Sequence, residues 1–238
     1  MPTPIPPNRL CVSLARPTVS AALAAARAAA SLADVLEIRL DALSDPAARE
    51  EASALLLREV ATPLLFTNRP TWEGGQASGP ENERIRPLLT ALASGCAYVD
   101  IELETDHELR AQVIAAARDR GSPGRVIVSW HDFAGTPAGA TLSAVLQQQK
   151  SSGADIGKIV TMAASSHDVR RVLGLLEEAA DLDFPLIAFC MGDQGKISRL
   201  ATGYLGGYMT YAAESAGAAT APGQLPAARL RQLEELLQ

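Results

Sequence analysis

Short apolar runs and longer amphipathic segments alternate eight times along this chain. The apolar runs are rich in Val, Ile and Leu, which favours buried strands, and the segments between them are long enough for helices. The strand-like runs lie near residues 10–14, 35–40, 63–67, 98–103, 126–130, 156–160, 186–190 and 207–211. Strands joined through helices pair in parallel within one sheet. The alternation therefore predicts an α/β protein built from eight βα units.

Two architectures accommodate eight such units, a closed (β/α)₈ barrel and an open doubly wound sheet. The first βα junction, SLARPTVS at residues 13–20, has no glycine-rich dinucleotide loop, which weakens the open sheet. Polar residues collect where the runs end, and a barrel brings those ends around one cavity, whereas an open sheet spreads them over many spacings of ~4.8 Å. We predict a single (β/α)₈ TIM barrel over residues 1–238, with residues 1–8 as a frayed N-terminus.

Two of the runs indicate which face of the sheet looks into the barrel. The polar residues that alternate with apolar ones are Glu37, Arg39 and Asp41 in the second run and Asp100, Glu102 and Glu104 in the fourth. Successive side chains of a strand point to opposite faces, so the apolar face packs against helices and the charged face points inward. Buried charges need partners or a ligand. The sixth run is apolar on both faces, so its periodicity leaves the direction of Lys158 open.

The helical segments carry their own signals. Ser166 is predicted to cap a helix, and Pro226 is predicted to open the last one. The apolar faces of these two helices are predicted to be Val169, Val172, Leu173 and Leu176 in the first and Leu230, Leu233 and Leu237 in the second.

Composition narrows the classes of function. A formal net charge of −6 disfavours binding to nucleic acid through phosphate neutralisation. Cys11, Cys96 and Cys190 are scattered and lack paired metal spacing, so we predict reduced thiols in a cytoplasmic protein and no structural zinc. The Ala-rich stretch at residues 20–33 is interrupted by Arg27 and is too weakly hydrophobic to span a bilayer, so no membrane association is predicted.

Lysine is rare in this chain, with three Lys against eighteen Arg, and Lys158 lies inside the apolar run GADIGKIVTMA. Arginine stays protonated, whereas a desolvated lysine can lose its proton and become a nucleophile. The alternative is a lysine that extends from a strand end into solvent.

Histidine is equally rare. His107 and His167 lie beside Asp106 and Asp168 near predicted helix starts, which favours solvated positions at helix ends. His131 instead ends the apolar run VIVSW, which places an imidazole at the rim where barrel enzymes carry catalytic groups. A structural histidine bonded to a carboxylate is the alternative.

Seven segments occur in one order along the chain: EIRLD, FTNRPTWEGG, VDIEL, VSWHDF, GADIGKI, MGDQGKISRL and TAPGQ. Together they resemble the type I 3-dehydroquinate dehydratases, the Schiff-base dehydratases of the shikimate pathway, and the resemblance covers nearly the whole chain. It implies a (β/α)₈ barrel, commonly homodimeric, that converts 3-dehydroquinate to 3-dehydroshikimate without metal or organic cofactor.

The resemblance also implies a role for particular residues. Lys158 would form the imine with the ring ketone, His131 would shuttle protons, and Glu73 would orient His131. Arg199 would pair with the substrate carboxylate. The further residues expected to contact substrate are Ser13, Glu37, Arg39, Arg69, Thr220 and Gln224 through polar groups and Met191 through an apolar contact.

The sequence departs from the family pattern in three places. Thr220 stands where a serine is usual, and Trp130 precedes the histidine where a tyrosine is common. The connection over residues 212–220 is slightly longer than is typical of the family and rich in small residues, and it is predicted to be a mobile loop that closes over substrate.

Two other functions remain open from the sequence. A class I aldolase or transaldolase-like barrel also uses a lysine imine, but it acts on phosphorylated sugars and needs phosphate-binding amides near the last strands. A barrel without activity that serves as a binding protein is disfavoured because Lys158, His131, Glu73 and Arg199 are all present.

Overall fold

The computed structural model describes residues 9–119 and 124–237. The frayed N-terminus predicted for residues 1–8 lies outside the described residues. The strands are β1 Leu10–Leu14, β2 Val35–Arg39, β3 Leu64–Thr67, β4 Tyr98–Glu102, β5 Arg125–Asp132, β6 Ile156–Met162, β7 Leu186–Met191 and β8 Thr210–Ala213. The α-helices are α1 Val19–Ala29, α2 Ala48–Glu59, α3 Glu81–Ala93, α4 His107–Arg118, α5 Gly139–Ser151, α6 Ser166–Asp181, α7 Lys196–Tyr204 and α8 Ala227–Leu236. Short 3₁₀ helices at Leu40–Ala42 and Thr71–Glu73 follow β2 and β3.

The strands form one parallel sheet that closes on itself. Each strand from β1 to β6 pairs with the next one in the sequence, and β1 also pairs with β8. Between β7 and β8 the backbone N–H of Tyr208 donates to the carbonyl of Leu186 at 2.8 Å. An open doubly wound sheet would leave β1 and β8 apart, so the predicted (β/α)₈ barrel is confirmed.

Inward and outward side chains alternate along every strand, as the period of two requires. Outward residues such as Val12, Ile38 and Val128 pack with the helices in the main core. The barrel floor is a smaller apolar cluster that includes Cys11, Val35, Leu65, Ile127, Ile156, Ile187 and Met209. The layer above it receives one residue from each even-numbered strand: Glu37, Asp100, Lys158 and Tyr211. Alternate strands supply alternate layers in such barrels, so these four polar side chains meet near the axis.

The strand predictions hold closely, with differences at the ends. β5 to β7 extend further than their apolar runs, and β8 begins at Thr210 because Gly206 and Gly207 end helix α7. The inward direction predicted for Glu104 is wrong, because β4 ends at Glu102 and Glu104 is exposed.

The structure corrects some of the predictions made for the helix cap and the apolar helix faces. Ser165, rather than Ser166, caps α6, in a capping box with Asp168. Leu230 of α8 is buried as predicted, but Leu233 and Leu237 are 39% and 59% exposed. His107 and His167 lie in the first turns of α4 and α6, as predicted.

The three cysteines are buried and free, which confirms the predicted free thiols. Within the described ranges, no helix has both the length and the apolar character that a bilayer crossing requires.

Candidate active site

A cavity opens at the C-terminal ends of the barrel strands and has an empty volume of about 480 Å³, counted to its open mouth. Ten of the eleven residues predicted for the site line it. Its lining consists of Glu37, Arg39, Arg69, Glu73, Gly74, His131, Phe133, Lys158, Val160, Phe189, Met191, Arg199, Tyr211, Thr220, Ala221 and Gln224. The remaining predicted residue, Ser13, is buried behind the wall and donates a hydrogen bond to Glu37.

Lys158 points into the barrel, which its apolar strand left undecided. Its side chain is 5% exposed, and Nζ donates to Asp100 Oδ2 at 2.9 Å. The same nitrogen lies 4.3 Å from the centroid of the Tyr211 ring. On the outward side, a Cβ on Gly157 would meet Gln149 and Phe184 within 2.8 Å, so only a glycine fits between β6 and the helices at that position. A lysine extending into bulk solvent is therefore excluded.

Asp100 is the buried anion beneath this lysine. Its Oδ1 accepts from Ser129 Oγ at 2.6 Å and from Arg69 Nη2 at 2.8 Å. The positive charges of Arg69 and Lys158 hold the pKa of Asp100 well below its usual range, although burial opposes them. Asp100 therefore remains a carboxylate and serves as a fixed anchor for the lysine. Its inward direction was predicted, but its place beside Lys158 was not, because the sequence does not give the register of β4 against β6.

Arg69 lies in the cavity wall with its donors turned toward the protein. Its Nη1 lies 2.6 Å from Glu102 Oε1 and also donates to Ser129 Oγ at 2.6 Å. The other terminal nitrogen, Nη2, contacts Asp100, and Glu73 Oε2 lies 3.7 Å from Nη1. These acids raise the pKa of Arg69 well above its usual value despite burial. Arg69 thus organises three carboxyl groups of the site.

His131 contacts Glu73 through its Nδ1, which lies 2.7 Å from Glu73 Oε2. Burial, aided by Glu102 and Asp100, raises the pKa of Glu73 to about 8. Burial, together with the charges of Arg69 and Lys158, lowers the pKa of His131 well below its usual value. Near neutral pH the pair therefore favours a neutral acid beside a neutral imidazole. Nε2 is the ring nitrogen left to act on a bound molecule, because Nδ1 is engaged.

The acids and cations of the outer wall are also paired within the protein. Arg39 contacts Asp41 through two hydrogen bonds of 2.7 and 2.9 Å. Glu37 accepts from Thr67 Oγ1 at 2.9 Å as well as from Ser13. Glu37 and Arg39 therefore have separate partners within the protein.

Arg199 differs from these charges. It is 1% exposed, and among the described residues no carboxylate lies within ion-pair distance of it. Its terminal nitrogens donate to the carbonyls of Tyr211 at 3.4 Å and Pro222 at 3.1 Å, and its guanidinium lies 4.6 Å from the centroid of Phe189. Burial lowers its pKa to about 10. An uncompensated buried cation at a cavity wall is suited to an anionic ligand.

The loop after β8 completes the cavity. Thr220 donates to Gln224 Oε1 through its backbone N–H at 2.7 Å and its hydroxyl at 3.2 Å. Gly223 has a φ of 75°, and a Cβ there would lie 2.5 Å from the carbonyl oxygen of Gly192. A glycine is required at this contact, which holds the loop against the end of β7.

Six lining residues were not predicted for the site: Gly74, Phe133, Val160, Phe189, Tyr211 and Ala221. Phe133 is 41% exposed at the mouth, and its ring centroid lies 6.3 Å from that of His131. The position of Phe133 directly after WHD could have indicated a site residue. Tyr211 and Phe189, in contrast, have the pattern of core residues in their strands. Trp130, the unusual neighbour of His131, points outward and packs against the main core.

Comparison with known proteins agrees with this arrangement. The family profile described as Type I 3-dehydroquinase matches residues 10–238. A 3-dehydroquinate dehydratase from Desulfotalea psychrophila is 42% identical over 224 residues, which are 94% of this chain and 96% of that protein.

Solved structures give the same result. The 3-dehydroquinate dehydratase of Geobacillus kaustophilus superposes with a TM-score of 0.89 at 32% identity, covering 98% of this chain and 92% of that one. The type I 3-dehydroquinate dehydratase of Clostridium difficile, solved with covalently modified comenic acid, has a TM-score of 0.88 at 26% identity, covering 97% of this chain and 92% of that one.

Proposed function

The chain belongs to the type I 3-dehydroquinase family, and from this premise we propose that it dehydrates 3-dehydroquinate to 3-dehydroshikimate through an imine on Lys158. The observation that carries the proposal is one cavity lined by a buried lysine, a histidine and a buried arginine that has no carboxylate partner among the described residues. In such a set the lysine would engage a ketone, the histidine a leaving hydroxyl and the arginine a carboxylate.

Substrate binding is proposed to begin at Arg199. The carboxylate of 3-dehydroquinate would supply the anion that the guanidinium lacks, and charge-assisted hydrogen bonds of this kind are the stronger class. This contact would orient the ring ketone toward Lys158 at the floor. Glu37, Arg39, Thr220, Gln224 and Met191 would position the ring and its hydroxyls, with Ser13 acting through Glu37 and Arg69 through the acids that it holds.

Imine formation requires that the lysine nitrogen lose a proton and attack the carbonyl carbon. The neutral imidazole of His131 is the acceptor in the same cavity, because its pKa is lowered. The C–N bond forms, the carbonyl oxygen leaves as water after protonation, and a positively charged imine remains. Asp100 stays ionised beside it and favours that charge.

Dehydration follows from the electron demand of the imine. The imine acidifies the adjacent C–H; a base takes that proton, and the electron pair expels the hydroxyl on the next carbon as water. His131 Nε2 would transfer the protons, and Glu73 would exchange one with Nδ1 as the imidazole changes state. Hydrolysis of the imine then frees the ketone product and Lys158, so the net change is the loss of one water.

Water must be limited during these steps. Strand β8 extends to Ala213, so the loop predicted over residues 212–220 is shortened to residues 214–220, and we propose that this loop closes over the bound substrate. The methyl group of Thr220 would alter contacts with substrate while the hydroxyl is retained.

We further propose that the enzyme needs no metal or organic cofactor, acts as a homodimer in the cytoplasm, and serves the shikimate pathway toward chorismate and aromatic amino acids. Its partner would be the small-molecule substrate and not nucleic acid or membrane. Activity retained after treatment with a chelator, and a dimer mass by light scattering, are the expected results.

The central test is borohydride trapping. Wild-type protein incubated with 3-dehydroquinate should generate the enone absorbance and, after reduction, carry the added mass on the peptide that contains Lys158. Lys158→Ala should abolish both signals. The matched control is Lys150→Ala, because Lys150 is exposed on α5 and donates only to the carbonyl of Leu182 among described residues.

Two further outcomes separate the mechanism from its alternatives. His131→Ala should still give some adduct while catalysis slows by roughly 10²-fold or more. Modification by a sugar phosphate but not by 3-dehydroquinate would favour an aldolase, and adduct on a lysine other than Lys158 would refute the assignment.

A further inference from the structure

Tyr211 is a buried part of the site to which no role has yet been given. It lies on β8, is 3% exposed and lines the cavity. Its ring lies under the nitrogen of Lys158 at 4.3 Å and is tilted against Phe189 with centroids 5.8 Å apart. These contacts use only the ring, and a phenylalanine would make them equally well.

The hydroxyl group of Tyr211 is without a partner among the described residues and has no exposed surface. A buried polar group that makes no hydrogen bond destabilises the fold, and replacement by an apolar group of the same shape is usually neutral or favourable. The resting fold therefore gains nothing from this oxygen. An orphaned donor at the floor of a reaction cavity indicates that its partner becomes available in another state.

Glu37 and Asp100 share a layer of the barrel with Tyr211. The nitrogen of Lys158 lies between Asp100 and Tyr211, 2.9 Å from Asp100 Oδ2 and 4.3 Å from the centroid of the Tyr211 ring. Burial raises the pKa of Tyr211 well above its usual value, and the nearby Cys11, Glu37 and Asp100 add to the effect. The phenol therefore keeps its proton and acts as a donor. Glu37 already accepts from the hydroxyls of Ser13 and Thr67, one on each oxygen. Asp100 Oδ2 has Lys158 as its donor in the resting site.

Lys158, the donor to Asp100 Oδ2, is the group that the reaction converts into an imine. This step of the argument rests on the proposed function. The lysine ammonium carries three N–H groups, whereas the protonated imine carries one, held in the plane of its C=N bond. We propose that Tyr211 is a positioning residue that donates its hydroxyl to Asp100 when Lys158 forms the imine. Asp100 thereby keeps a full set of donors while the nitrogen is bonded to substrate.

The test compares Tyr211→Phe with Tyr98→Phe. Tyr98 lies at the barrel floor, where its hydroxyl is hydrogen-bonded to that of Tyr208 at 2.9 Å, so it is a tyrosine whose hydroxyl already has a partner. Measurements are kcat and KM for 3-dehydroquinate, the fraction of enzyme trapped by borohydride in the steady state, and the melting temperature.

Tyr211→Phe should lower kcat and the trapped fraction, with kcat reduced roughly tenfold because a hydrogen bond to a charged group is lost. KM should change less than kcat, and the melting temperature should stay constant or rise. Tyr98→Phe should show the opposite pattern, with a lower melting temperature and wild-type kinetics.

Wild-type kcat and trapping in Tyr211→Phe would overturn this inference alone, and so would a loss of activity that only follows a loss of folded protein. If the wild-type chain forms no adduct with 3-dehydroquinate, the proposed function and this inference both fail.

Discussion

Replacing Glu73 with glutamine should change how stability depends on pH. Glu73 is 4% exposed, its Oε2 contacts His131, and its Oε1 has no hydrogen-bond partner among the described residues. Burial raises its pKa from 4.5 to about 8 in the folded protein. Glutamine has nearly the same size and can bond to Nδ1, but it cannot ionise.

The magnitude follows from proton linkage. Between pH 4.5 and about 8 the folded protein holds the Glu73 proton, whereas the unfolded chain releases it. The free energy of unfolding therefore falls by about 1.4 kcal/mol per pH unit, or about 5 kcal/mol across the window. Because the folded pKa is raised, the contribution is full below pH 4.5 and is lost as the pH rises toward 8.

Urea unfolding at several pH values between about 5 and 9 measures this effect in wild type and Glu73→Gln. Titrations of groups that do not contact Glu73 cancel in the difference between the two proteins. The stability of wild type relative to the variant should decline steadily through the window. A difference that is independent of pH, or that grows as the pH rises, would refute the reasoning that this carboxyl is held protonated.

Three further changes test other parts of the structure. Arg199→Gln should raise KM roughly tenfold to hundredfold, because a charged contact to the substrate carboxylate is lost. Urea unfolding should show no loss of stability, because the cation removed is buried and has no carboxylate partner among the described residues. An unchanged KM would exclude Arg199 from the carboxylate site. Gly75→Ala should lower kcat by about tenfold or more, since its Cβ would lie 2.0 Å from the carbonyl oxygen of Arg69 and displace the loop that carries Glu73. Gly135→Ala, whose Cβ meets nothing within 4 Å, is its matched control and should keep wild-type kinetics. Ser165→Ala should cost about 1 kcal/mol in thermal or urea unfolding by removing the cap of α6, with no change in kcat, and an equal stability would show that the capping box is redundant.

Much of the fold could be predicted because it depends on local pattern. The strand runs were located to within a few residues, since a period of two and β-branched composition are properties of short segments. The errors occur where a turn decides the end of an element. Glu104 continues the alternation of β4 in sequence, yet the strand ends at Glu102 and a turn carries Glu104 to the surface.

The membership of the site was available from the sequence through its resemblance to the type I 3-dehydroquinate dehydratases, and it agrees with the convergence of strand ends in a barrel. Ten of the eleven predicted residues line one cavity, and Ser13 supports it from behind. The pairings inside the site were not available. Arg69 was expected to bind substrate, but its donors are directed at Asp100 and Glu102. Of the three arginines that line the cavity, Arg199 is the one that no described carboxylate neutralises.

Sequence alone determined the eight βα units and the inward face of the charged strands, because these follow from periodicity along each strand. The residues assigned to the cavity came from the resemblance to the type I 3-dehydroquinate dehydratases. Tertiary structure alone decided that Lys158 points inward, that Asp100 is its partner and that the Tyr211 hydroxyl has none. Those contacts join residues of β4, β6 and β8, and they depend on the stagger with which the barrel closes. Stagger is a relation between strands, so no single segment encodes it.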